Sequence, residues 1–425
     1  MDHSTMSRSG KQILLLGNGR QSLTVIRSLA REGWAPIVGI KGDKDRNAQA
    51  HLARDVAGTW KHSDFQDSEF KNELLAFVAE NKDCAAIYPV NGEAVRCMNA
   101  LRDMLPHDMP LVLPNEAAVT ACFDKDAMHK LCQKIGVPIA AYRIAHGRTE
   151  LLSACNTIGQ PCVVKPLDQA DLVFGVKAAI VSDEATLSGW LQDSRLDGQR
   201  MMVQQYIGHP RYNAYFAAQD GRLLHAVAVL IHRTDRVDGT GFAVSGQTIE
   251  PPPILREDCE KLVHSLNYTG VGCAQWLMDP NSEERIFLEL NPRLGGNFKV
   301  VEAAGVPLAH TALKLALEKK VVTPAGPWTY KRRVQYAWTI GALAGCRFEL
   351  QTGAVNNLTA ARLLSLTMWE ALTAQAHLTW SWRDPIPTLA EMMRPLRKRP
   401  TLDRDKEGLR LLRNRIHIPS SRPSR

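Results

Sequence analysis

The sequence predicts a mixed fold, α/β at its start and α+β after it, in about three units. Three observations carry that expectation. A strand, a glycine turn, a helix and a second strand follow one another near the start; from Met201 the pattern turns mostly β; and 425 residues are too many for one core at roughly 150 residues per domain. Apolar residues at 45% and charged residues at 23% are ordinary for a globular chain, so burial can offset the entropy of ordering and wholesale disorder is excluded.

Ile13 to Leu16 reads as a buried strand and Gly17-Asn18-Gly19-Arg20 as a turn. Leu23, Ile26 and Leu29 then form one face of a helix that Gly33 stops, before a second strand from Pro36 to Val38. After the charged stretch 61–83, a strand over Ala85 to Val90 leads into a helix over Gly92 to Leu101, and the first domain spans 1–114. Asn115 and Asp124 read as N-caps; Met128, Leu131, Cys132 and Ile135 keep helical spacing until Gly136. A strand Pro161 to Lys165 ends at Pro166. Further strands are expected over Met201–Ile207, Ala214–Ala218, Leu223–Ile231, Gly270–Met278 and Arg285–Asn291. The second domain therefore covers 115–322, in lobes 115–200 and 201–322. An extension over 323–425 carries a helix from Leu358 to Leu378, the turn Asp384-Pro385-Ile386-Pro387 and a basic tail.

The formal charge of +8 is concentrated at the end: residues 391–425 hold eleven Lys/Arg against four Asp/Glu. Such a tail suits an acidic protein or membrane surface better than nucleic acid, because no RNA-binding signature accompanies it. Nine cysteines, odd in number and without CxxC spacing, read as reduced core thiols. With a polar start that lacks a signal-peptide pattern and no window of eighteen apolar residues, the expectation is a cytoplasmic protein. Its oligomeric state stays open.

The segment Arg285 to Arg293 carries the most chemistry. Period-two alternation puts Phe287, Glu289, Asn291 and Arg293 on one face, with a carboxylate and an amide oxygen about 7 Å apart along the strand. Hard oxygens of this kind suit Mg²⁺. The preceding run, Val271 to Met278, is joined to it by a turn-rich loop; if Asp279 faces Arg285, Gln275 lies opposite Glu289 and completes an oxygen set. Arg293 would then supply positive charge to a transferred phosphoryl group. Lys125, in the first turn of its helix, and Lys165, closing a buried strand, are cations in places that call for an anion or for snorkelling. Arg233 and Arg236, in the polar loop 232–241, are candidates for an anionic substrate.

In order, Lys125, Lys165-Pro166, Val203-Gln204-Gln205-Tyr206-Ile207-Gly208, Gln275 and Glu289-x-Asn291-Pro292-Arg293 resemble the ATP-grasp superfamily, particularly the branch similar to the carbamoyl phosphate synthetase large subunit. The resemblance covers roughly residues 11–320. It implies a Rossmann-like N-terminal domain, a two-lobed ATP-grasp module and a C-terminal extension. It implies ATP and Mg²⁺, or Mn²⁺, as cofactors: Lys125 and Lys165 on the phosphates, Gln204, Gln205, Tyr206 and Ile207 as the adenine hinge acting through backbone groups, Gln275, Glu289 and Asn291 on the metal, and Arg293 stabilising an acyl phosphate. Two departures stand out. Gln205 replaces the usual hinge glutamate, and the stretch Leu167 to Gly175 replaces a glycine- and serine-rich phosphate loop. Gly17-Asn18-Gly19 begins a dinucleotide fingerprint, but Ser22 holds the third glycine position, so the match is incomplete; the resemblance implies a substrate-side or structural role for this turn rather than NAD binding.

The expected activity is an ADP-forming carboxylate–amine, or carboxylate–thiol, ligation. Activation of bicarbonate, and a non-catalytic nucleotide-binding regulator, are the alternatives.

Overall fold

A computed structural model describes residues 11–45, 49–167, 173, 178–192, 196–318, 321 and 326–393. The basic tail beyond 393 and most of the loop 168–177 lie outside these residues.

The first unit alternates β1 (Gln12–Leu16), α1 (Arg20–Arg31), β2 (Ala35–Ile40), β3 (Gly58–Lys61), α2 (Ser68–Glu80), β4 (Cys84–Pro89) and α3 (Gly92–Ala100). Its parallel sheet has the order β3-β2-β1-β4. Strand order therefore reverses between β1 and β4, and the turns after these two strands, which start α1 and α3, open on the crevice where such sheets take ligands. Gly17, at φ +115°, makes the first turn in a conformation that side chains rarely adopt.

Helices α4 (Glu116–Phe123) and α5 (Lys125–Ile135) come next. Asp124 caps α5 by accepting from the N–H groups of Asp126 and Ala127, and Gly136 ends it in the left-handed conformation. A small lobe follows: β5 (Tyr142–His146), α6 (Gly147–Ile158), β6 (Cys162–Pro166), β7 (Ala179–Val181), α7 (Glu184–Leu191) and β8 (Arg200–Gln205), with sheet order β5-β8-β6-β7. The second lobe contains β9 (Arg211–Gln219), β10 (Arg222–Thr234), β11 (Ala243–Thr248), α8 (Pro253–Ser265), β12 (Gly270–Met278), β13 (Arg285–Asn291), α9 (Lys299–Ala303) and α10 (Leu308–Leu317). Then come β14 (Gln335–Ala337), α11 (Thr339–Thr352), α12 (Asn357–Thr373), β15 (Ala376–His377) and α13 (Ile386–Met393).

Three boundaries differ from the sequence reading. β8 pairs with β5 and β6, so the small lobe runs to Gln205 rather than to 200. α4 and α5 bury Ala118, Cys122, Met128 and Cys132 against Trp276 and Phe287, which puts the region from 115 to about 137 on the second lobe's core. The extension is not a separate domain. β14 and β15 complete the seven-stranded sheet β13-β12-β9-β10-β11-β14-β15, covering an edge that β11 would otherwise leave open.

The turn at Asp384 also has a structural account. Asp384 Oδ2 accepts from Arg27 Nε at 3.1 Å and Nη2 at 2.9 Å, while Oδ1 accepts from the Arg54 N–H at 3.1 Å. Arg27 further donates to the carbonyls of Thr379 and Asp384. This buried pair fastens the extension to α1. One core, from Ile13 and Leu23 through Tyr215 and Val229 to Tyr336 and Leu378, unites the first unit, the large sheet and the extension.

Candidate active site

The small lobe turns alternate residues of β6 and β8 two ways. Cys162, Val164, Met201 and Val203 fill its core, which leaves Val163, Lys165, Met202 and Gln204 on the face toward the second lobe. Lys165 Nζ donates to Gln204 Oε1 at 2.7 Å, and the Gln204 amide nitrogen lies 3.2 Å from His129 Nε2. His129 Nδ1 donates to the Lys125 carbonyl at 2.6 Å, and Lys125 Nζ donates to the Pro166 carbonyl at 2.7 Å. One relay of polar groups thus brings Lys125 and Lys165, forty residues apart, to the same strand end. Burial lowers the Lys165 pKa, and the charge of Glu289 in the second lobe offsets part of that shift.

The hinge corrects the sequence reading in one respect. The Gln204 backbone is inside the sheet ladder, the Gln205 N–H donates to Ala141 and the Tyr206 N–H to Pro161. The Gln204 backbone is thus engaged within the sheet, and its side chain bonds Lys165 and lies against His129. Of the phosphate-loop stretch, Leu167 and Val173 are buried and the residues between them lie outside the described ones.

Burial brings His129 down to about 4 from the usual 6.5. The unfolded chain then binds more protons than the folded one between these values, so stability is full above about pH 6.5 and falls as pH drops toward 4. On the order of 2 kcal/mol should be lost between about pH 7 and pH 5 at this residue. Urea unfolding at the two pH values checks it, and His129→Gln should flatten that part of the slope.

In the second lobe, Gln275 lies opposite Glu289, as the sequence suggests, but by a different route. The hairpin begins with Met278 opposite Arg285, one residue out of the expected register, and a bulge that leaves Leu288 unpaired restores it. The bulge also corrects the facing. Phe287 joins Trp276 and Leu290 in the core, while Glu289 and Asn291 face the other way with Gln275 and Cys273. Asn291 Nδ2 donates to Glu289 Oε1 at 2.8 Å, which fixes both side chains.

Asn213, which the sequence analysis missed, is opposite Gln275 on β9 and hence on the same face. Its Oδ1 is buried without a hydrogen-bond partner. An orphaned oxygen beside two amides and one carboxylate is the donor set of a hard divalent cation, so the residues present fit Mg²⁺.

Arg293 follows directly. It donates to the Leu294 carbonyl at 3.1 Å, and its Nε lies 3.6 Å from where a Cβ on Gly92, the first residue of α3, would stand. Burial lowers its pKa against the opposing charge of Glu289. After Leu294 come two glycines in close quarters: a Cβ on Gly295 would meet Tyr215 Oη at 2.8 Å, and one on Gly296 would displace the Arg20 guanidinium.

Arg20 is the second missed residue. The glycine turn after β1 delivers it into the junction of all three regions, where its guanidinium lies 3.5 Å from the Trp338 ring centre and Nη1 is buried without a partner. Burial lowers its pKa to about 10, opposed by the negative charges of Glu391 and Asp235. A strand and glycine turn leading into a helix that starts at Arg20 were visible in the sequence; its neighbours Gly296 and Trp338, more than two hundred residues away, were not.

Arg233 and Arg236, expected to meet an anionic substrate, are engaged by partners within the chain. β10 runs on to Thr234, and Arg233 pairs with Glu370 and donates to Thr367 on α12, while Arg236 pairs with Glu349 and lies over Phe348 on α11. They hold the extension against the sheet. Arg233→Ala should cost about 1–3 kcal/mol of stability and leave KM values unchanged, as denaturant unfolding beside steady-state kinetics would read.

Known proteins share this fold. The family described as carbamoyl-phosphate synthase L chain, ATP binding domain, matches residues 245–323. The arginine-specific carbamoyl phosphate synthase large chain of Halalkalibacterium halodurans is 24% identical over 209 residues, 46% of this chain and 19% of that one. A formate-dependent phosphoribosylglycinamide formyltransferase of Ignicoccus hospitalis is 26% identical over 48% of each chain. This chain therefore spans about a fifth of the large chain and about half of the transferase. Among solved structures, a biotin carboxylase from Campylobacter jejuni in a β-γ-ATP complex superposes with TM-score 0.60 at 20% identity, covering 76% of this chain and 74% of that one. The biotin carboxylase domain of Hydrogenobacter thermophilus 2-oxoglutarate carboxylase, a dimer with MgADP and bicarbonate, gives TM-score 0.59 at 14% identity over 76% and 72%. The chain has the fold of these ATP-binding enzymes and is similar over 46% of its length to the carbamoyl phosphate synthase large chain.

Proposed function

We propose that this protein is an ADP-forming ligase that activates a carboxylic acid as an acyl phosphate and transfers the acyl group to an amine, or to a thiol. The observation that carries this reading is that Glu289, paired across the strands with Gln275 and bonded to Asn291, is close enough to act electrostatically on Lys165 of the small lobe and on Arg293.

In this reading Lys125 and Lys165 hold the ATP phosphates, and the Tyr206–Ile207 end of the hinge meets the adenine. Gln275, Glu289 and Asn291, with Asn213, would hold Mg²⁺, which neutralises phosphate charge when bound; Mn²⁺ is expected to substitute. A substrate carboxylate oxygen attacks the γ-phosphorus, the bond to the β-phosphate oxygen breaks, and ADP leaves. Arg293 offsets charge on the transferred phosphoryl group. The amine then attacks the acyl carbon, phosphate leaves, and the amine proton passes to solvent or phosphate. Phosphoryl transfer needs positioning more than covalent help, which fixed, mutually bonded side chains supply. Arg20, stacked on Trp338, is placed to take an anionic group of the acid or acceptor.

Free thiols at all nine cysteines suit a reducing compartment, and we place the protein in the cytoplasm. A dimer is compatible with its structural relatives, and the tail would meet an acidic surface rather than nucleic acid. The test is ADP release from ATP and Mg²⁺ against amino acids, small carboxylic acids and bicarbonate. Turnover dependent on one organic acid and an amine supports the ligase; turnover with bicarbonate alone replaces it by a carboxylase-type reaction; ATP binding without turnover replaces it by the regulatory reading.

A further inference from the structure

Helix α13 is amphipathic the wrong way round. Its buried positions are Pro387, Thr388 and Glu391, whereas Ile386, Leu389, Met392 and Met393, at i, i+3, i+6 and i+7, form one apolar stripe turned to solvent. Trp382, just before the helix, is 86% exposed. Single exposed apolar side chains are normal; a stripe of four with a tryptophan beside it is a surface waiting for cover. Chain composition says what covers it. Immediately after Met393 come Arg394, Arg397, Lys398 and Arg399, and residues 394–425 hold eleven Lys/Arg against three Asp/Glu, a net of +8. That equals the charge of the whole chain, so the first 393 residues are neutral.

We infer that α13 and the tail together dock this protein on an anionic lipid surface, the helix through its apolar stripe and the tail through its positive charge. Neither signal suffices alone: a short apolar stripe binds weakly and reversibly, and a basic segment adds attraction only while near the headgroups. Their succession in the chain supplies both at one place. Among the described residues no helix is long and apolar enough to cross a membrane, so the contact is peripheral. Glu391, on the inner face of the same helix, is among the charges around Arg20, so docking would set the junction holding Arg20 close to the lipid surface.

Co-sedimentation of the full chain with phosphatidylglycerol-containing vesicles, compared with pure phosphatidylcholine vesicles, tests this without reference to any turnover, so it can fail while the ligase reading stands. The expected result is binding to anionic vesicles stronger by at least about tenfold and weakened by salt. Leu389→Asp with Met392→Asp, and separately removal of 394–425, should each lower binding about tenfold while circular dichroism stays unchanged. Equal partition with both vesicle types, or vesicle binding indifferent to the two aspartates, would overturn the proposal. So would a dimer in light scattering that the aspartates dissociate, with no vesicle binding, since the stripe would then be covered by a second copy.

Discussion

Replacing Glu289 by Ala is expected to lower acid-dependent ATP turnover by about 10²–10³-fold, the scale of losing one preorganised electrostatic group. Glu289 is the carboxylate of an otherwise amide oxygen set, with Gln275 across the strand pair and Asn291 bonded to it. It also offsets the burial of two cations, Lys165 and Arg293. Without it both would lie in the cleft with less compensating charge, so nucleotide affinity should change as well as rate. Steady-state kinetics with a titration of ATP binding would separate the two. Turnover within a few-fold of the parent protein would remove Glu289 from the chemistry.

The largest loss of stability is expected at the Arg27–Asp384 pair. Asp384→Ala would leave Arg27 buried with its carboxylate partner gone, and breaking a buried pair from one side typically costs about 3–5 kcal/mol. Because Asp384 also accepts from the Arg54 N–H, the extension should loosen from α1. Earlier denaturant unfolding and new proteolytic cleavage after about residue 376 are the expected signs. An unchanged midpoint and an unchanged digestion pattern would show that the extension is held mainly by β14, β15 and its apolar contacts.

These two sites differ in how far the sequence revealed them. The βαβ start was legible because strand, glycine turn and helix have local signatures, and so was the pairing of Gln275 with Glu289. The route to that pairing was not. Alternation alone assigns Phe287 to the wrong face, since a one-residue bulge at Leu288 leaves no mark that period-two reading detects. Arg233 and Arg236 looked available to a substrate because their partners, Glu370 and Glu349, are more than a hundred residues away. The same separation hid Arg20 against Gly296 and Trp338, and the closure of the large sheet by β14 and β15. Long-range partners, rather than propensity, decided each of these cases.

The account rests most directly on an acyl phosphate intermediate. The measurement is turnover with the active acid labelled by ¹⁸O in its carboxylate, followed by mass analysis of the released phosphate. One ¹⁸O atom in the phosphate, with ADP as the nucleotide product, is the predicted result. Unlabelled phosphate during acid-dependent turnover, or label appearing in AMP, would contradict it.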